Sequence, residues 1–184
     1  MTHRQHVRPQ TTGTLDDLAG HVPDTHIEGA RAASEEFRRQ GIRHALCGGL
    51  AVGICGYPRH TSDIDFLVDD DAFDHHGHLV THKPGLPISY KGVGIDWVSL
   101  EPRERAALDE FLVLPEKGVV PSVPVAPLVA MKLLAGRQKD QADVVELVKA
   151  GADVLEIREF IERNFPAKLA LLDRLVELAA EEAR

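Results

Sequence analysis

The stretch CGGLAVGICGYPRHTSDIDFLV, Cys47 to Val68, sets two carboxylates one residue apart in a run that is otherwise apolar. Side chains alternate faces along a strand, so Asp63, Asp65 and Leu67 would share one face, and Ile64, Phe66 and Val68 the other. Two carboxylates placed this way lie roughly 6–7 Å apart along the strand. They repel each other when ionised, and burying them is costly unless a cation sits between them. A hard divalent cation with oxygen ligands fits such a pair, Mg²⁺ above all, with Mn²⁺ as a substitute. A third acid, Asp96 in GVGIDWVSL, stands in a second apolar run with Ile95 and Trp97 on the opposite face. Three acids on neighbouring strands can hold two metal ions, and two ions can clamp the attacking and leaving oxygens of a phosphoryl transfer.

Upstream of the acids, Gly48-Gly49 reads as a turn from a strand into a helix. Without Cβ atoms, such a turn lets a phosphate approach the backbone, and the helix beyond it aims free N–H groups at that anion. Lys132 is the only charge between Pro127 and Gly136. Its ammonium either snorkels to water or points into a cleft, and Lys132→Met should leave stability unchanged or higher. Arg59 is a surface-loop cation or a phosphate contact. Asp143 either caps the helix behind Asp140 or takes part in the site. Arg137 and Lys139 read as solvated charges, Trp97 as core. His75, His76, His78 and His82 lack the regular spacing of a ligand set.

An apolar residue, Gly-Gly, a spacer of about a dozen residues and then Asp-apolar-Asp-apolar resembles the signature of the DNA polymerase β nucleotidyltransferase superfamily. Cys47-Gly48-Gly49 and Asp63-Ile64-Asp65-Phe66 carry it, Asp96 fits the third acid, and the likeness covers roughly residues 40 to 100. Arg59, Thr61, Asp63 and Asp65, with Lys132 and the run Lys139-Asp140-Gln141-Ala142-Asp143, are similar to the small bacterial AbiEii-type toxins of toxin–antitoxin systems. The chain is short for those toxins. The resemblance implies a nucleotidyltransferase fold and Mg²⁺-dependent, two-ion transfer of a nucleotidyl group from a nucleoside triphosphate such as ATP to an acceptor hydroxyl. Asp63, Asp65 and Asp96 would be catalytic and metal-binding. Gly48, Gly49, Arg59, Thr61, Ser62, Lys132 and Asp143 would bind the nucleotide. The acceptor would be RNA, protein or a small molecule, and an antitoxin or other protein partner is implied. The rival is a non-catalytic binding module on the same fold, which would be expected to have lost an acid or the glycine turn. A metal-dependent phosphohydrolase would normally add His ligands beside the acids.

The elements that must position these residues are legible in the same chain. Residues 1–23 read as a polar, partly disordered arm. Thr25 and Glu28 have capping-box spacing before a helix with Ile27, Ala30, Ser34 and Phe37 on one face, ending near Gly41. Strands are expected over 42–47, 64–68, 88–90 and 93–100, with Lys91-Gly92 as a tight turn. The Asp-, His- and Gly-rich segment 69–87 reads as a helix fragment plus loop, 102–111 as a helix, and 119–125, broken by Pro121 and Pro124, as an edge strand or extended connection. Helices then follow over 127–135, 139–150 with Gly151 as a stop, 153–164 with Asp153 and Glu156 as cap, and from Pro166 onward. This is an α/β (α+β) chain: a core over 24–125 with a small mixed sheet flanked by helices, and a helical segment over 126–184 packed on it.

The totals agree with one such domain. The chain has 184 residues, 43% hydrophobic and 27% charged, and two cysteines, Cys47 and Cys55, which read as buried thiols. A net charge of −8 argues against a broad electrostatic grip on nucleic acid. No apolar run approaches the roughly 20 residues that cross a bilayer, and the polar N-terminus lacks the apolar centre of a secretion signal. A cytoplasmic location without membrane association is the expectation.

Overall fold

The computed structural model describes residues 13–76 and 79–184. The chain enters through a short 3-10 turn, Leu15–Leu18, whose Thr14 and Asp17 form a reciprocal capping box. Leu15, Leu18 and Val22 are buried, so the second half of the expected arm packs as part of the core; its first 12 residues lie outside the described ones. Helix α1, Asp24–Arg39, begins two residues earlier than its Thr25-Glu28 signal suggested, with Pro23 at the N-cap and no side-chain cap. Glu28 is used elsewhere: its carboxylate accepts from Lys91 Nζ at 2.7 Å. Its inner face, Ile27, Ala30, Ala33, Ser34 and Phe37, is buried as the 3.6-residue spacing demands.

Strand β1, His44–Leu46, leads into α2, Gly48–Ile54, and β2, Asp63–Val68. The segment expected as helix fragment and loop instead forms a 3-10 turn, Asp70–Ala72, and two strands, β3, Phe73–His76, and β4, Leu79–His82. Side-chain packing explains the difference. Phe73 and His82 are directly opposed across the pair, and both lie against Trp97, the His82 ring 4.1 Å from it between centroids. Strands β5, Ser89–Tyr90, and β6, Val93–Val98, follow, joined by Lys91 and Gly92 at φ 46° and 86°. Two successive residues at positive φ make the tight turn that suits the right-handed twist of a hairpin.

The main sheet has the order β1-β2-β6-β5, with β2 and β6 parallel and the outer pairs antiparallel. Of the expected 119–125, residues 119–124 are an extended connection that touches β1 through a single bridge, Leu46 to Ser122, and Val125 already opens the next helix. Seven α-helices are present among the described residues, the later ones being α3, Pro102–Leu108, α4, Val125–Ala135, α5, Gln138–Lys149, α6, Val154–Asn164, and α7, Leu169–Glu182. Asp153 caps α6 by accepting from the Leu155 and Glu156 N–H groups. Helix α4 ends at Gly136, in the left-handed conformation at φ 68°.

The sheet divides the core in two. Ile64, Phe66, Val68 and Ile95 belong to the cluster beneath α1, with Phe37 at its centre and Trp97 against it. Ala45 and Leu67 point the other way, into a larger cluster built with α4 to α7, against which Val98 packs. The helical C-terminal segment is thus sealed onto one face of the sheet, and that face carries the acids. Among the described residues, no helix is long and apolar enough to cross a membrane.

Candidate metal centre

Parallel pairing of β2 with β6 sets Asp65 directly beside Asp96, and Asp63 one step upstream on the same face. One carboxylate oxygen from each of the three acids can be chosen so that all lie within 4.8 Å of one another. Asp63 and Asp65 are half-buried and Asp96 is exposed. The expected faces are therefore right, and an all-oxygen set of three carboxylates could hold a metal ion. Among the described residues, no Lys, Arg or His forms an ion pair with any of the three. Burial pushes the Asp65 carboxyl up, and the charges of Asp63 and Asp96 push it further. Like charges held this close oppose one another's ionisation.

The glycines are required by the acids themselves. A Cβ on Gly48, which sits at φ 61°, would lie 1.7 Å from Asp65 Oδ2. A Cβ on Gly49 would lie 2.6 Å from Thr61 Oγ1, and the Gly49 N–H donates to the Asp65 carboxylate. Part of the donor capacity expected to face a phosphate is thus spent on holding Asp65. The Thr61 hydroxyl, fully buried, donates to Asp63 Oδ1 at 3.0 Å and fixes that acid in turn. Ser62 is exposed beside it. The Cys47 N–H donates to the Asp65 backbone carbonyl at 2.9 Å, which draws the glycine turn over the acid. Cys47 and Cys55 are free, buried thiols; burial raises the Cys47 pKa well above the usual thiol value and pushes Cys55 up to about 12.

Lys132 neither snorkels nor stands free. It is buried, with its Nζ 3.0 Å from Asp140 Oδ1 and 2.8 Å from Asp143 Oδ2. Asp143 does not cap α5: it lies inside the helix, is buried, and accepts a two-armed contact from Arg59, with Nη2 to Oδ2 at 2.7 Å. Arg59 is accordingly tied down and not a loose surface cation, its side chain 15% exposed. Arg137, largely exposed, also donates through Nε to Asp140 Oδ2 at 2.6 Å. For both aspartates burial pushes the pKa upward, but their hydrogen bonds to arginine and lysine outweigh it, and both carboxyls end below the ordinary value. Asp140, named in the sequence only within the run 139–143, and Arg137, expected as a solvated charge, belong to this network as well; the signal available was the spacing of Asp140 and Asp143 on one helix face. Lys139 is exposed, as expected of a solvated charge. His75 and His76 are exposed on β3, and His78 lies outside the described residues.

Fold and site together define a mixed α+β protein with a three-carboxylate centre on one face of its sheet, backed by a neutralised network of buried charges. No protein-family model matches the chain, and no curated protein matches it.

Proposed function

We propose that the protein is a Mg²⁺-dependent nucleotidyltransferase that moves a nucleotidyl group from a nucleoside triphosphate to an acceptor hydroxyl. One observation carries this reading: one oxygen from each of three carboxylates lies within 4.8 Å of the others, on parallel neighbouring strands, and among the described residues no side-chain cation is paired with them. Asp63 and Asp65 would hold both ions and Asp96 one of them. Bound Mg²⁺ would supply charge neutralisation for the phosphates and for the attacking oxygen. The acceptor oxygen attacks the α-phosphorus, the bond from that phosphorus to the β-phosphate bridge breaks, and pyrophosphate leaves with the electron pair. Asp96, the most exposed of the three, would take the acceptor's proton. Thr61 holds Asp63, and Gly48 and Gly49 hold Asp65, so the acids are oriented before any ligand arrives. Lys132, Arg59 and Asp143 support the site from behind, and a phosphate contact by Lys132 would add to the two carboxylates it already serves. A toxin–antitoxin role belongs to the same proposal and rests on sequence resemblance alone.

The experiment is incubation of the protein with labelled nucleoside triphosphates, Mg²⁺ and a cell lysate, followed by separation of macromolecules and small molecules. Label should appear in one fraction, disappear with chelator, and fall by orders of magnitude with Asp63→Asn. Label transfer that persists in Asp63→Asn, or none in any fraction, would remove the transferase reading and leave a binding module.

A further inference from the structure

Arg59 grips two parts of the fold at once. Its Nε and Nη2 donate to Asp143 Oδ1 and Oδ2 on α5, at 2.5 and 2.7 Å. Its Nη1 donates to the His60 backbone carbonyl at 2.9 Å. That carbonyl belongs to the planar peptide from which Thr61 hangs, so the guanidinium fixes the plane and the plane aims the Thr61 side chain. Thr61 is β-branched and stiff about its first torsion, and its hydroxyl donates to Asp63 Oδ1 at 3.0 Å. Gly49 lets the two residues close up: a Cβ there would lie 2.6 Å from Thr61 Oγ1 and 3.4 Å from Arg59 Nη1.

These contacts leave little of Arg59 for a nucleotide. Each of its three guanidinium nitrogens is engaged. Turning the fork toward a phosphate would leave the buried Asp143 carboxylate with Lys132 alone, and an under-compensated buried charge is costly. An ion pair that only docked α5 would end at Asp143. Here the third arm goes on to the segment that carries Thr61. A lysine could keep the charge beside Asp143, but it could not hold a carboxylate and a carbonyl in one planar fork.

The geometry points to Arg59 as a positioning residue for the metal centre: held by Asp143, it sets the His60–Thr61 peptide and, through the Thr61 hydroxyl, the carboxylate of Asp63. The inference rests on the reading of the three acids as a metal centre, and it replaces the nucleotide contact expected of Arg59. Metal affinity is then set partly from α5, whose Asp143 anchors the far end of the relay. Partners that orient a ligating side chain without touching the metal govern affinity by about 10–100-fold.

Mn²⁺ binding to the full-length protein without nucleotide, followed as loss of the free-ion EPR signal, reads this role with no turnover. Arg59→Lys, Asp143→Glu and Thr61→Val all keep the net charge, so a change in affinity reports geometry. Each should weaken Mn²⁺ about tenfold, and Thr61→Ser, which keeps the hydroxyl, should stay near wild type. Arg59→Lys combined with Thr61→Val should bind no more weakly than the weaker single variant, because both act through one hydrogen bond. Asp63→Asn should remove most of the binding. Arg59→Lys and Asp143→Glu enter the relay from different residues, so either decides if the other does not fold. Wild-type Mn²⁺ affinity in those two variants, or losses that add in the double variant, overturns the positioning role while the metal centre stands. Wild type that binds no Mn²⁺, or binds it no better than Asp63→Asn, removes the metal centre and the positioning role with it. A protein that meets every Mn²⁺ expectation yet labels nothing loses the transferase reading and keeps the positioning role.

Discussion

Asp140 and Asp143 lie on α5 with three cations against them: Lys132, Arg59 and Arg137. Asp63, Asp65 and Asp96 lie on β2 and β6 with no such partner among the described residues. The first pair is almost fully buried, yet its carboxyls sit below their ordinary pKa, because the ion pairs outweigh burial. In the second group, burial pushes the Asp65 carboxyl above the ordinary value, the charges of Asp63 and Asp96 add to it, and no ion pair offsets it among the described residues. Burial alone therefore does not set the charge state; what matters is whether the fold supplies the counter-charge. Where the fold supplies it, the acids serve structure. Where the described part of the fold supplies none, a glycine turn and a threonine hydroxyl still hold the acids together, and the group could take a metal ion.

The largest effect should follow from breaking the neutralised group. Lys132→Met leaves two buried carboxylates without their shared cation, and should cost about 3–5 kcal/mol in urea unfolding. This reverses the expectation of unchanged or higher stability drawn from the apolar surroundings of Lys132 alone. A Lys132→Met protein as stable as wild type would mean that the network is not a unit.

Gly48→Ala strikes the other group. Alanine at φ 61° is strained, and its Cβ would fall on the Asp65 carboxylate, so the acid must move. Stability should drop by more than about 1 kcal/mol, the least expected for alanine where φ is positive, and any Mg²⁺ response should weaken with it. An unaltered Mg²⁺ response in Gly48→Ala would show that Asp65 does not need the turn.

The pH dependence of stability should separate the groups by sign. Asp143 has a depressed folded pKa, so its contribution is present above the unfolded pKa and is lost as pH falls through the lowered one. Asp65 has a raised folded pKa, so its ionisation costs stability at neutral pH, and that cost disappears as pH falls through the raised value. In chelator, the deficit of Asp143→Asn relative to wild type should therefore shrink on acidification. The smaller gain of Asp65→Asn should shrink as well, toward zero from the opposite side. Urea midpoints across the acid range measure both, and two deficits of the same sign would contradict the contrast.

The site acids were legible in the sequence because their information is local. Alternation along Asp63–Val68 fixes their faces, and the two-residue turn Lys91-Gly92 fixes the hairpin that brings β6 back. The pairing of Arg59 with Asp143 spans 84 residues and depends on how α5 docks, which no local pattern encodes. The β3–β4 pair was likewise hidden, since its polar sequence looks like loop until Phe73 and His82 find Trp97. Leu15 and Leu18 were read as part of a polar arm because two leucines carry little periodicity; they are buried against α2, where Gly53 leaves room for Leu18. The apolar cavity of about 230 Å³ between β6, α3 and α4 has no sequence signature at all.

The central claim is that the three-acid group awaits a divalent cation, and thermal unfolding of wild type and Asp65→Asn, each in chelator and in Mg²⁺, tests it most directly. In chelator the mutant should melt at or above the wild-type temperature, because one of three repelling charges is gone. In Mg²⁺ the wild type should rise by mass action, by about 2.7 kcal/mol at a hundredfold excess over the dissociation constant. The mutant should lose most of that rise. A mutant that melts below wild type in chelator and gains as much from Mg²⁺ would mean that the three acids are ordinary solvated carboxylates, and the metal centre would not stand.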